Sequence, residues 1–100
     1  MARVHHMVLL KFKAGGHEQV PQLFAALADL QRLPGMLHFS GGAYASPEGL
    51  NPGFTHGFRM TFADVAARDR YLNHPDHEAV KRTFLPFVED VIAFDYEEEG

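Results

Sequence analysis

The stretch from Phe54 to Phe62 constrains this chain most. Phe54, His56, Phe58, Met60 and Phe62 fall on one parity, and Thr55, Gly57, Arg59 and Thr61 on the other. Strict alternation over nine residues describes a β-strand with one covered face. A single strand cannot cover itself, so the rest of the chain must supply partners and a layer above them. Arg3 to Lys13 supplies one partner, with Val4, His6, Val8, Leu10 and Phe12 on one side and His5, Met7, Leu9 and Lys11 on the other. Met36 to Ala45 reads as another, with Leu37, Phe39 and Ala43 on one parity and Gly41-Gly42 marking a bulge. Val91 to Glu97 is the last, with Ile92, Phe94 and Tyr96 on one parity.

The covering layer reads as helices. From Glu18 to Leu33, Val20, Leu23, Phe24, Leu27 and Leu30 recur at spacings of three and four, and Pro34-Gly35 stops the run. Asp64 caps a short helix through Ala66, Ala67 and Tyr71. Pro75 opens another that runs to Phe84 or Val88, with Pro86 as a break. The order β-α-β-β-α-β specifies an α+β, ferredoxin-like domain over residues 1–100. It has a four-stranded antiparallel sheet with helices on one face. The other face, carrying Met7, Leu9, Val91 and Ala93 beside Arg59 and Lys11, is left bare. A partly apolar bare sheet calls for a partner, so the expected assembly is a homodimer with its sheets face to face.

Composition removes several function classes. There are no cysteines, hence no thiol catalysis and no cysteine-based zinc site. Thirteen acids against nine bases, without a basic cluster, argue against nucleic-acid binding. No apolar run approaches the roughly 18 residues of a membrane span. The opening residues show no secretory signal, so a cytoplasmic location is expected. No glycine-rich phosphate loop is present.

Chemistry concentrates in Tyr71-Leu72-Asn73-His74-Pro75-Asp76-His77. These residues describe a helix end, a proline-marked corner with Asn73 or His74 as cap, and a second helix start. A helix N-terminus disfavours the imidazolium, so His77 there is a neutral proton acceptor. Tyr71 places a phenol beside it, and the two form a workable acid–base pair. Parity puts His6 and His56 on the same helix-covered face. Four polar groups in a core admit two main arrangements. One is a structural network in which they bond to one another. The other is a small pocket walled by Val8, Leu10, Leu23, Leu27, Phe58, Met60, Leu72, Val80, Ile92 and Phe94, suited to an apolar or aromatic carbonyl compound. A three-histidine metal site is a weaker third arrangement, because the residues lack the local spacing of a metal motif. His17 and His38 read as solvated, His5 as facing the dimer side.

Four segments together resemble one family. They are His5-His6-Met7-Val8-Leu9-Leu10-Lys11-Phe12, Phe54-Thr55-His56-Gly57-Phe58, the Tyr71 to His77 stretch with its Tyr-x-x-His-Pro-x-His pattern, and Phe94-Asp95-Tyr96. In this order they resemble the stress-responsive A/B barrel (Dabb) domain over nearly the whole chain. The resemblance implies a dimeric α+β barrel. It also implies, from a plant member that closes a polyketide chain by aldol condensation without a metal, a histidine base and a tyrosine. Carried over by position, His77 matches the base and Tyr71 the tyrosine, while His6 and His56 match pocket histidines. Ala26 stands where that cyclase has a large aromatic, and the first loop is shorter, so substrate identity does not transfer. Two functions follow as expectations: a cofactor-free cyclase- or lyase-like enzyme or binder of a hydrophobic carbonyl compound, or a non-catalytic stress-associated dimer. A cofactor-free monooxygenase of the wider barrel group is a third relative that no motif in the chain favours.

Overall fold

The alternating stretches form four strands in the computed structural model, which describes residues 2–99. They are β1 (Val4–Phe12), β2 (Met36–Ala43), β3 (His56–Phe62) and β4 (Val88–Glu97). They pair antiparallel in the order β2-β3-β1-β4. Helices α1 (Val20–Asp29), α2 (Val65–Leu72) and α3 (Pro75–Phe84) supply the covering layer. Directly opposite residues share a face, so Val4↔Phe62, His6↔Met60 and Val8↔Phe58 place the alternating apolar rows of β1 and β3 together. Leu23 and Leu27 of α1, with Ala67 and Tyr71 of α2, close over these rows. Phe62, Leu30, Met60 and Val4 are the most completely enclosed side chains of this core.

The helix boundaries follow their chemistry. The Asp64 side chain accepts from the Ala67 N–H at 2.8 Å, and His74 Nδ1 accepts from the Asp76 N–H at 3.0 Å. Each satisfies an N–H that the first turn leaves free. The Glu18 to Leu33 run is shorter as an α-helix than its periodicity suggests. Single 3-10 turns at Gly16–Gln19 and Leu30–Arg32 flank α1. Pro86 lies in a third 3-10 turn, Leu85–Phe87, which delivers the chain into β4.

Three details of the sheet depart from expectation. The bulge in β2 lies between Met36 and His38, not at Gly41-Gly42. It turns Met36 inward and leaves Leu37 50% exposed. Gly41 instead admits Phe24, because a Cβ there would stand 3.0 Å from that ring. Second, β4 begins at Val88, opposite Phe12, with an irregularity between Lys11 and Phe12. Third, the parity of β4 is reversed. Val91 and Ala93 pair with Leu10 and Val8 on the covered face, and Ile92 and Phe94 pair with Leu9 and Met7 on the open one. Val91 and Ala93 share their parity with Glu89, Asp95 and Glu97, so polarity alone favours the Ile92, Phe94 and Tyr96 row as the covered one, and pairing with β1 overrides it.

Gly35, after the 3-10 turn, has φ +87°, and a Cβ there would fall 2.4 Å from Ala67 Cβ. Gly35→Ala combines left-handed strain with that clash. It is expected to destabilise the fold by roughly 1–3 kcal/mol, read as a lower urea midpoint at unchanged slope.

Candidate functional site

A cavity of ≈ 280 Å³ lies between the sheet and the helices. Ten of the side chains expected to gather there line it: His6, Val8, Leu10, Leu23, Leu27, Phe58, Tyr71, Leu72, His77 and Val80. Lys81, Phe84, Leu85, Val88, Val91 and Ala93 complete the wall. Val91 and Ala93 escaped the sequence reading through the reversed parity of β4. Lys81 and Phe84 were legible in principle, one and two turns beyond His77 on α3.

The polar side chains are held by different means. His77 Nδ1 lies 3.1 Å from the Leu72 carbonyl oxygen, which only accepts, so Nδ1 carries the proton and Nε2 keeps its lone pair. Burial, more than any neighbouring charge, pushes the His77 pKa below its ordinary value; Lys81 and His6 act in the same direction. The Tyr71 ring stands 4.4 Å from His77 and 5.2 Å from Phe62, centroid to centroid. The Tyr71 hydroxyl is buried and, among the described residues, has no hydrogen-bond partner. Burial drives its pKa upward, so it stays a protonated donor. His6 Nδ1 meets Asp95 Oδ1 at 2.6 Å, and Arg68 Nη1 donates to Asp95 Oδ2 at 2.6 Å.

Four expected members are not brought in. His56 is on the covered face but opposite Leu10, four residues along the ladder from the His6↔Met60 pair. It packs at that end against Phe12 and Phe24, bonds the Thr55 hydroxyl at 2.9 Å, and lines a separate ≈ 520 Å³ depression at the β2–β3 side. Sharing a face is therefore not sharing a site. Met60 is fully enclosed in the core, below the cavity wall. Ile92 and Phe94 lie on the open face, 45% and 64% exposed. Nor do the four polar groups form one network: His6, His56, Tyr71 and His77 make no hydrogen bonds to one another among the described residues. With His56 at the other end of the face, no group of side chains among the described residues is arranged to hold a metal ion. His5 faces the open side but is buried by its neighbours. It bonds Thr61 Oγ1 at 3.0 Å and Glu98 at 2.9 Å beneath Tyr96.

The cavity therefore presents a neutral imidazole with a free Nε2 beside a phenol donor, within largely apolar walls. That pair can take a proton from a carbon acid and hydrogen-bond an adjacent oxygen.

Comparison with known proteins shows the family and the fold. The model of the stress responsive A/B barrel domain matches residues 4–98. The chain is 30% identical over 95 residues to olivetolic acid cyclase of Cannabis sativa, covering 93% of this chain and 94% of that protein. Among solved structures it is similar to a hydroxynitrile lyase of Passiflora edulis, with 26% identity, TM-score 0.87, and 98% and 94% of the two chains covered. A dimeric ferredoxin-like protein of unknown function from Jannaschia sp. CCS1 matches with 26% identity and TM-score 0.87, over 96% and 99% of the chains.

Proposed function

Because this chain belongs to the stress-responsive A/B barrel family, we propose that it is a homodimer whose cavity binds a hydrophobic carbonyl compound and acts on it by cofactor-free acid–base chemistry. The observation that carries this reading is the pairing of the unpartnered Tyr71 hydroxyl with His77 on one apolar cavity. His77 Nε2 takes the proton α to the carbonyl. Tyr71 donates to the carbonyl oxygen as negative charge builds there, which lowers the barrier to the enolate. Walls such as Leu23, Leu27 and Val80 favour an alkyl or aryl substituent over a sugar or a nucleotide. The cyclase and lyase among the similar proteins support a carbon–carbon bond-forming or bond-breaking reaction.

The homodimer joins through the open sheet face. Met7, Leu9, Ile92, Phe94 and Tyr96 are 38–64% exposed there. The reversed parity of β4 makes this face more apolar than the expected Val91 and Ala93 would. The Jannaschia neighbour, described as dimeric, supports a dimer. A cytoplasmic location fits the absence of cysteines.

The test is a panel of alkyl and aryl ketones and β-dicarbonyl compounds. Binding is read as a rise in melting temperature, and base catalysis as loss of the α-proton signal by exchange in D2O. Faster exchange that depends on both His77 and Tyr71 is expected. A protein that neither binds nor exchanges any of them refutes the reading. Tyr71→Phe separates function from fold. It removes a buried hydroxyl with no partner, so it is expected to leave stability unchanged or raise it by up to about 1–3 kcal/mol while exchange falls. A large loss of stability would instead show that the hydroxyl is structural.

A further inference from the structure

His6 has two ring nitrogens, and the structure accounts for one of them. Nδ1 stands 2.6 Å from Asp95 Oδ1 on the neighbouring strand. His6 and Asp95 are directly opposite in the β1–β4 register, so both side chains rise from the covered face. Which atom owns the proton between them depends on Asp95. An ionised carboxylate only accepts, and the proton then belongs to Nδ1. A neutral carboxylic acid would donate to Nδ1 and force the other tautomer. Asp95 is 23% exposed, and Arg68 lies against it. Arg68 Nη1 donates to Asp95 Oδ2 at 2.6 Å while its Nε donates to Asp69 Oδ1 at 2.8 Å. The guanidinium is charged at every relevant pH and is itself anchored at two points. Its Nη1–H needs an acceptor, and that bond keeps the Asp95 carboxylate turned toward His6.

We propose that Arg68 is a positioning residue: through Asp95 it fixes His6 as the Nδ1–H tautomer, so that the cavity meets an unprotonated Nε2. His6 is 7% exposed and lines the cavity with Tyr71, whose ring centroid is 6.1 Å from its own. With His77 already held as Nδ1–H by the Leu72 carbonyl, the cavity presents two imidazole acceptors and one phenol donor. That set recognises a ligand with hydrogen-bond donors as well as a carbonyl, such as a hydroxylated ketone or the enol of a β-dicarbonyl compound. The arrangement joins α2 to β4 across 27 residues and β1 to β4 across 89, so it exists only in the folded chain.

The consequence for ligand choice rests on the proposed site, but the test needs no ligand or turnover, so failure of one is distinguishable from failure of the other. Nitrogen-15 NMR of histidine-labelled protein at about pH 8.5, above the ordinary histidine range, reads each tautomer directly. His6 is assigned by difference with His6→Gln. The folded wild-type protein is expected to show His6 predominantly as Nδ1–H. Arg68→Met, which keeps the aliphatic stem, and Asp95→Ala are each expected to shift His6 to a mixture richer in Nε2–H, with His77 unchanged. A wild-type His6 in the Nε2–H form overturns the proposal. An unchanged His6 ratio in folded Arg68→Met or folded Asp95→Ala also overturns it.

Discussion

His77→Ala is expected to lower the rate of α-proton exchange by about 100-fold or more while the protein stays folded and dimeric. The size follows from losing a positioned general base, which contributes about 10²–10⁴ in rate. Structurally the side chain is lightly tied: it is half-buried, and its one hydrogen bond among the described residues is to the Leu72 carbonyl at the corner between α2 and α3. Removing that bond costs about 1 kcal/mol, too little to unfold the domain. Exchange rate, melting temperature and light-scattering mass measured on one preparation separate the two effects. Full exchange in the folded variant would eliminate His77 as the base. The pH dependence carries a second signature. Burial disfavours the His77 imidazolium, so the base stays neutral below its ordinary pKa of 6.5 and activity persists to lower pH than a solvated histidine allows. The sign for stability is fixed by the same shift. Between 6.5 and the depressed folded-state pKa the unfolded chain binds more protons than the folded one, so stability is full above 6.5 and falls as pH drops through that window. His56, also lowered chiefly by burial, adds in the same direction.

Phe62→Ala is expected to cost about 3–5 kcal/mol of stability, more than Gly35→Ala, Tyr71→Phe or His77→Ala. Phe62 is 1% exposed at the end of β3, opposite both Val4 and Met36 and against the Tyr71 ring. The side chain thus joins β1, β2, β3 and α2, and no neighbour is free to fill its space. For a domain with a total stability of about 5–15 kcal/mol this approaches unfolding. Urea denaturation measures it, and a loss below about 1 kcal/mol would show that the core collapses onto the cavity. Tyr71 leans on Phe62, so the surviving folded fraction is also expected to exchange α-protons more slowly. His77→Ala and Phe62→Ala therefore differ in kind: one removes the chemistry and keeps the fold, the other removes the support beneath it.

Local patterns carried most of the architecture. Alternation in β1 and β3, the three- and four-residue spacing of α1, and the caps at Asp64 and His74 each follow from neighbours in the chain. Period and capping are properties of a few adjacent residues, so they can be read without the partner. The corner from Tyr71 to His77 is of this kind, and it places a phenol and an imidazole together whatever surrounds them. His56 shows the limit of such reading, because parity names a face and says nothing of position along it.

By itself, then, the sequence determined the order of elements, the ferredoxin-like class and the Tyr71–His77 pair. Tertiary structure alone decided the rest. The more apolar parity of β4 is that of Ile92, Phe94 and Tyr96, and only its hydrogen-bonded register with β1 turned Val91, Ala93 and Asp95 toward the helices and left Ile92 and Phe94 outside. That register brought Asp95 to His6, and the docking of α2 brought Arg68 to Asp95. The physical reason is that register is set by pairing across strands. The polarity of β4 read alone points to Ile92, Phe94 and Tyr96 as the covered row, and its pairing with β1 decides otherwise.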